Sequence, residues 1–167
     1  MERWSIDLYK QDFKFSAAHF LIFPDGSAER LHGHNYRVFV EIEAALTRHG
    51  LVLDFKQVKP LVRQLADELD EHWIVPGEHP VLHCERRSDG ITEVLYGPRR
   101  YSAPSEDVLV LPINNTSSEN LAGWFGRELR RRLAQRFREV DVKRLRVAVE
   151  ETPGQSGVYL FEAPSGS

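Results

Sequence analysis

The chain of 167 residues contains little cysteine and no long hydrophobic run. Cys84 is its only cysteine, so the chain cannot build an internal disulfide framework, and a reducing compartment is expected. No apolar stretch approaches the roughly 18 residues that a membrane-spanning helix requires. The first residues do not follow a secretory pattern. We therefore expect a cytoplasmic protein with no membrane partner.

The sequence also lacks an excess of positive charge. Its 22 Lys and Arg residues against 25 Asp and Glu residues give a formal net charge of −3, which argues against nucleic acid as a partner, because a polyanion usually binds to a basic face. The hydrophobic fraction of 41% and the charged fraction of 28% are ordinary for a soluble globular protein. Residues 1–167 therefore suit a single domain, with a frayed tail at 163–167.

Three histidines stand in patterns that favour a common site. His32 and His34 are separated by one residue in an alternating stretch, so their side chains point to the same face of a strand. His19 ends an earlier alternating stretch, and a neighbouring strand could bring it to the same place. Three neutral imidazoles suit Zn2+ in a tetrahedral site whose fourth position is open to water or substrate. A His-x-His pair alone, however, is a weak motif that is common on strands.

Hydrophobic periodicity predicts an α+β fold. Residues 5–16 and 31–46 alternate as strands. A helix opens loosely at Asp54 and becomes regular near Lys59, because Pro60 removes a backbone hydrogen bond. A second helix is capped within Thr116-Ser117-Ser118-Glu119, and its arginine-rich side is expected to face solvent. A strand pair follows, and the element order predicts an antiparallel sheet with two helices packed on one face.

The segment between the two helices is the unusual part of the chain. Residues 79–85 and 91–96 flank an Asp-Gly turn and predict a hairpin, and residues 101–111 add a further strand. We expect His79 and His83 to decorate this hairpin rather than to bind a metal. Cys84 is expected to be a small packed residue.

Glu151 is the second informative residue after the histidines. Strand alternation places it on the face of Val147 and Val149, where an apolar residue is expected. A carboxylate facing a core is costly unless it is paired. Glu151 therefore either lies in water at the rim of the sheet or accepts from a ligand with adjacent donors.

Residues 15–19 and 31–36 closely resemble the zinc site of the 6-pyruvoyltetrahydropterin synthase and 6-carboxytetrahydropterin synthase (queuosine pathway) family. The resemblance covers most of the chain except an insertion at about 75–110. It implies zinc on the three histidines, a pterin ring anchored by Glu151 of the Glu151-Thr152 pair, and ring contacts near Ser117 and Ser118. It also implies a tunnelling fold, in which sheets of several subunits close into a β-barrel. We accordingly expect a homo-oligomer, with a hexamer built as a dimer of trimers favoured and active sites at subunit interfaces.

The chain departs from the common members of that family at two places. Ala28 stands where the queuosine-type enzyme has a catalytic cysteine, and Glu29 stands three residues before His32. This Glu-x-x-His-Gly-His pattern resembles the type III branch, in which glutamate replaces the cysteine and the side chain of 7,8-dihydroneopterin is cleaved. Asp70 matches the family's Leu-Asp-His motif, but the expected histidine comes one residue late, at His72. On a helix that shift would turn the side chain by about 100°.

The resemblance implies a zinc-dependent lyase acting on a dihydropterin, either 7,8-dihydroneopterin or its triphosphate, and releasing 6-hydroxymethyl-7,8-dihydropterin. Glu29, Asp70 and His72 are the candidate catalytic residues. Two alternatives are a 6-pyruvoyl- or 6-carboxytetrahydropterin synthase and a pterin-binding homologue without catalysis. From the residues alone, the favoured account of Glu29 is a solvated charge or an ion pair with Arg30.

Overall fold

Ten strands and two helices follow one another in the computed structural model, which describes residues 2–164. The residues 165–167 of the tail predicted to fray lie outside the described residues. Along the chain the elements are β1 (Ser5–Leu8), β2 (Lys14–His19), β3 (His32–Ala44), α1 (Phe55–Leu69), β4 (His72–Pro76), β5 (His83–Arg86), β6 (Ile91–Tyr96), β7 (Arg99–Pro104), β8 (Val108–Leu111), α2 (Ser118–Arg136), β9 (Val142–Thr152) and β10 (Gln155–Glu162).

The main sheet has seven strands in the order β10-β9-β3-β2-β4-β8, with β1 also paired to β3. β4 runs parallel to both β2 and β8, and the other pairs are antiparallel. The expected α+β fold is confirmed, but the sheet is mixed rather than wholly antiparallel. The cause is topological: β3 and α1 together connect β2 to β4, and the inserted segment connects β4 to β8. Each of these connections returns the chain to the sheet in the direction of the strand that it left.

The predicted single strand at residues 5–16 is two strands. Both β1 and β2 pair with β3, but Leu8 lies opposite Val40 whereas Lys14 lies opposite Arg37. The residues between them leave the ladder in a turn, in which the Phe13 amide donates to the carbonyl of Lys10 at 3.2 Å.

α1 begins at Phe55, four residues before the predicted regular start. Asp54 caps it by accepting from the amide of Lys56 at 2.8 Å. Pro60 sits inside the helix and cannot donate to the Lys56 carbonyl. Both residues are exposed, so water can satisfy that carbonyl and the helix continues through the proline.

α2 follows the sequence prediction closely. Ser117 is its N-cap, and its side chain accepts from the Asn120 amide at 3.3 Å. The apolar face of α2 is at most 1% exposed and packs with α1 on one face of the main sheet. This face holds the larger core, and the buried side chains that α2 contributes to it are Leu121, Ala122, Phe125, Leu129 and Leu133.

The insertion forms a second, three-stranded antiparallel sheet in the order β5-β6-β7. Its Asp-Gly turn is as predicted, with Gly90 at φ +82°. The sheet covers the opposite face of β4, because Trp73 and Val75 join a second core there while Ile74 joins the first. Cys84 packs against this second core. Within residues 2–164, neither helix combines the length and the hydropathy needed to cross a membrane.

Candidate metal centre

The β2–β3 ladder brings the three predicted histidines together. His19 lies opposite His32, and Ala17 lies opposite His34, so all three imidazoles project from the helix-covered face at one end of the sheet. One ring nitrogen from each lies within 4.8 Å of the others. The Nε2 atoms of His32 and His34 are 2.9 Å apart. Among the residues described, this is the group of three ligand-type side chains that could hold a metal ion.

Backbone carbonyls fix the orientation of two of these rings. Nδ1 of His19 lies 3.0 Å from the carbonyl oxygen of Thr116, at the start of α2. Nδ1 of His32 lies 2.7 Å from the carbonyl of Arg30. Each contact places the ring proton on Nδ1, because a carbonyl can only accept, and Nε2 is left with a free lone pair.

Burial keeps His19 neutral. The residue is 1% exposed, and desolvation lowers the pKa of its imidazole, although the Thr116 carbonyl and the nearby Glu151 charge act in the opposite direction. A neutral imidazole is the form that binds a metal ion.

The donor set suits zinc. Two nitrogens at 2.0–2.1 Å from a tetrahedral zinc ion lie about 3.3 Å from each other, close to the spacing observed here. Three imidazole nitrogens, two of them on rings with fixed tautomers, would leave one coordination position for a substrate oxygen or water. His19, His32 and His34 are therefore the residues that would hold the ion.

Glu151 borders the histidine group from β9. Its Oε1 lies 3.3 Å from Nε2 of His19 and 3.7 Å from Nε2 of His34. The side chain is 21% exposed, so it is neither in open water nor sealed in the core. It occupies the face predicted from strand alternation.

Tyr36 is a site residue that the sequence analysis missed. Its hydroxyl donates to Oε1 of Glu151 at 3.3 Å and lies 3.2 Å from Nε2 of His19. Burial raises the pKa of the phenol, and the Glu151 charge raises it further, so Tyr36 remains a donor at neutral pH. The signal was present: Tyr36 is the next residue in the alternation that runs through His32 and His34.

Glu29 approaches the group from the loop between β2 and β3. Its Oε2 accepts from the amide of Leu21 at 3.1 Å and lies 3.9 Å from Nε2 of His32. Among the described residues, no ion pair joins it to Arg30. The two carboxylates thus reach different members of the histidine group: Glu29 lies nearest His32, while Glu151 lies nearest His19 and His34.

Asp70 and His72 do not continue a helix, so the expected rotation of 100° does not apply. α1 ends at Leu69, and Glu71 adopts a left-handed conformation with φ 57°. His72 therefore begins β4 and lies beside Ala17. His34 flanks the same alanine from β3, which puts the two histidines on one face about 10 Å apart at Cα.

The side chain of Asp70 has a structural partner. Its Oδ1 accepts from the amide of Ser16 at 2.6 Å, and its backbone carbonyl lies 2.7 Å from Nδ1 of His72. Asp70 therefore orients His72 through the main chain, not through its carboxylate. Within the described chain, neither residue contacts the histidine group directly.

The two serines at the start of α2 are also engaged locally. Ser117 caps the helix, and Oγ of Ser118 lies 3.4 Å from a carboxylate oxygen of Glu119. Their neighbour Thr116 supplies the carbonyl that orients His19. The helix start is thus tied to the metal centre by its backbone, while ring contacts from Ser117 and Ser118 stay a prediction.

Comparison with known proteins finds one family along nearly the whole chain. The family described as 6-pyruvoyl tetrahydropterin synthase matches residues 8–162. A relative in Methanocaldococcus jannaschii, provisionally named 6-carboxy-5,6,7,8-tetrahydropterin synthase, is 34% identical over 149 residues, which cover 87% of this chain and 88% of the relative. A Pyrococcus abyssi protein with the same provisional name is 29% identical over 156 residues, covering 92% and 90% of the two chains.

Solved structures give the same result for the fold. The 6-pyruvoyl tetrahydropterin synthase of Plasmodium vivax superposes with a TM-score of 0.90 at 27% identity, covering 98% of this chain and 100% of that one. Two further structures of the Plasmodium vivax protein, each with a TM-score of 0.86 and the same identity and coverage, carry alanine or cysteine in place of a glutamate described as a catalytic residue.

Proposed function

The chain belongs to the 6-pyruvoyl tetrahydropterin synthase family, and we propose that it is a zinc-dependent lyase that shortens the side chain of a dihydropterin to give 6-hydroxymethyl-7,8-dihydropterin. The observation that carries this proposal is the position of Glu29, whose carboxylate lies 3.9 Å from a histidine of the metal centre. Cys84 packs in the second core, on the other face of the sheet.

Glu151 is proposed to hold the pterin ring. The ring presents an N–H and an exocyclic amino group side by side, and a carboxylate can accept from both in a charge-assisted fork. Each carboxylate oxygen has two acceptor positions, so the hydrogen bond from Tyr36 leaves room for the ring. Ser117 and Ser118 are proposed to add contacts at the ring edge.

The reaction that fits this arrangement is a retro-aldol cleavage of 7,8-dihydroneopterin. A base removes the proton from the second side-chain hydroxyl, the bond between the first and second side-chain carbons breaks, and its electron pair moves to the first carbon. That carbon is then protonated, giving the hydroxymethyl product and a two-carbon aldehyde. When bound, zinc would supply Lewis-acid polarisation of the side-chain oxygens.

We propose that Glu29 carries one of these protons. It is only partly exposed, and the Leu21 amide fixes its carboxylate near the histidine group. His72 is proposed to handle the second proton through its free Nε2, with Asp70 orienting the ring. The glutamate described as a catalytic residue in the Plasmodium vivax relative supports a catalytic role for Glu29.

We further propose that the protein is a homo-oligomer, with the hexamer favoured. Val158 and Leu160 of β10 are 45% and 49% exposed and alternate with Tyr159 and Phe161, which pack against the main core. Barrel closure between copies of the chain would cover this apolar edge strand. Mass measurement in solution by light scattering tests the assembly, and a monomer at micromolar concentration would contradict it.

The function is tested by incubating zinc-loaded protein separately with 7,8-dihydroneopterin and with its triphosphate, and by identifying the products by chromatography and mass spectrometry. Hydroxymethyldihydropterin is the expected product. In the Glu29→Gln variant we expect kcat to fall about 100-fold or more, with zinc content and KM retained. Glu85→Gln, an exposed glutamate of β5, is the matched control and should behave as the parent protein.

A second candidate is 6-carboxytetrahydropterin synthase, favoured by the provisional names of the archaeal relatives. A carboxy or pyruvoyl product from the triphosphate would replace the first proposal with this one. Tight pterin binding without any product would leave a binding protein that is not catalytic.

A further inference from the structure

The loop that carries Glu29 is closed by hydrogen bonds between its two ends. Ile22 and Ala28 form an isolated antiparallel bridge. The Glu29 amide donates to the Leu21 carbonyl at 3.0 Å, and the Leu21 amide donates back to the Glu29 carboxylate at 3.1 Å. The position of that carboxylate therefore depends on the backbone of the loop as a whole.

Side chains of the inserted sheet donate hydrogen bonds to the backbone of the loop that carries Glu29. Arg99 of β7 donates from its two terminal nitrogens to the carbonyls of Ala28, at 2.7 Å, and Glu29. Tyr96 of β6 donates its hydroxyl to the carbonyl of Gly26 at 2.7 Å. Among the described residues, no carboxylate lies within ion-pair distance of Arg99, so both bonds of its guanidinium fall on loop backbone.

We propose that Arg99 is a positioning residue, whose guanidinium fork holds the loop so that the Glu29 carboxylate lies beside His32. Two parallel donors on one planar group fix the direction of two successive carbonyls, which a single ammonium cannot do. The hydrogen bond from Tyr96 to Gly26 stabilises the turn of the same loop. The proposal rests on the proposed function, because it takes Glu29 as the proton carrier.

Through Arg99, the insertion would contribute to turnover as well as to packing. The second core holds the insertion against the main sheet. Arg99 is part of this insertion, so its hydrogen bonds restrict the movement of the loop that carries Glu29. Misplacing a catalytic group by about 1 Å can cost on the order of 100-fold in rate. A loss of loop position should therefore lower kcat far more than it raises KM.

The first experiment compares Arg99→Met, Arg99→Lys and a control, Arg86→Met. Arg86 also donates to a backbone carbonyl, that of Ser105 at 3.1 Å, but within the inserted segment. We expect Arg99→Met to lower kcat about 10- to 100-fold, with KM changed less than threefold and zinc content unchanged. Arg99→Lys should recover part of the loss, and Arg86→Met should match the parent. Equal kcat losses in the two Met variants would overturn the proposal.

A double-mutant cycle with Glu29→Gln identifies the route of the effect. If Arg99 acts by placing Glu29, then adding Arg99→Met to Glu29→Gln should lower kcat less than twofold further. A full multiplicative loss would overturn the proposal, because Arg99 would then act independently of Glu29.

A substrate-free readout separates this inference from the proposed function. Hydrogen exchange at the amides of Leu21, Phe23 and Glu29, which are bonded within the loop, should accelerate at least tenfold in Arg99→Met and stay unchanged in Arg86→Met. Unchanged exchange in Arg99→Met would overturn the inference even if the proposed reaction is found. Faster exchange in a protein that turns over no pterin would support the loop contact and overturn the proposed function alone.

Discussion

The hydroxyl of Tyr36 donates to the carboxylate of Glu151 at 3.3 Å and lies 3.2 Å from Nε2 of His19. One buried phenol thus touches both the proposed pterin anchor and a proposed metal ligand. It can do so because β3 carries His34 and Tyr36 on one face and β9 brings Glu151 alongside. The two functions that we propose for the site, binding the pterin ring and binding the metal ion, would share a single hydrogen-bond donor.

Tyr36→Phe should weaken pterin binding while preserving the fold. The ring stacks on Phe15 at a centroid distance of 4.7 Å, and phenylalanine keeps that packing. Loss of the hydroxyl removes a donor from Glu151, so we expect KM for the pterin to rise roughly three- to tenfold and the free energy of unfolding to fall by about 1 kcal/mol. Steady-state kinetics and urea unfolding check both values. An unchanged KM would contradict a role for this hydrogen bond in ring binding.

Removing one imidazole should remove the metal. His32→Ala deletes one of three ligands, and we expect the purified variant to lose most of its zinc and all measurable turnover. His49→Ala, which changes an exposed histidine after β3, should keep the zinc content of the parent protein. Elemental analysis after dialysis measures both, and a full zinc load in His32→Ala would disprove the ligand assignment.

The candidate metal ligands could be predicted from the sequence because their side-chain directions follow local rules. His32 and His34 share a face by strand alternation, and His19 ends a second strand with the same alternation. The face on which Glu151 lies followed from the same rule, whereas its role as a pterin anchor was implied only by the family resemblance. In each case the side-chain direction is fixed by the period of a regular strand, whereas the pairing of β2 with β3 is what brings His19 opposite His32.

The missed features depend on contacts between distant segments. Nothing near Arg99 in the sequence shows that it reaches the carbonyls of residues 28 and 29, some 70 positions earlier. Likewise, His72 was expected on a helix because the left-handed conformation of Glu71 is not typical of glutamate. The parallel pairing of β4 with β2 and β8 could not be predicted for a similar reason, because it depends on the place in the sheet to which the chain returns after α1 and after the insertion.

Asp70→Asn should separate structural from catalytic use of this carboxylate. In the parent protein, the Ser16 amide donates to Oδ1 of Asp70 at 2.6 Å. The side-chain oxygen of asparagine can accept the same hydrogen bond, so we expect the free energy of unfolding to change by less than about 0.5 kcal/mol. Because Asp70 orients His72 through its main-chain carbonyl, which asparagine retains, turnover should also be unchanged. A clear loss of turnover at unchanged stability would instead assign the Asp70 carboxylate itself a part in the second proton transfer.

Gly157→Ala should lower both stability and metal affinity by displacing the start of α2. A Cβ at this position of β10 would lie 2.1 Å from the Glu119 amide nitrogen and 2.2 Å from the Ser118 carbonyl carbon. These are backbone atoms at the start of α2, so the helix start and β10 must move apart. Overpacking of this kind costs about 1–3 kcal/mol, and we expect a loss of free energy of unfolding in that range.

The shift should also reach His19, whose Nδ1 contacts the Thr116 carbonyl at the same helix start. We therefore expect zinc affinity, measured by competition with a chelator, to fall at least tenfold in Gly157→Ala, as it does when outer partners of metal ligands are disturbed. Gly123→Ala is the matched control, because its new Cβ would meet only the flexible tip of Arg127 at 3.2 Å and alanine favours the helix. If Gly157→Ala lowered stability but left zinc affinity at the level of Gly123→Ala, the helix start would not control the position of His19.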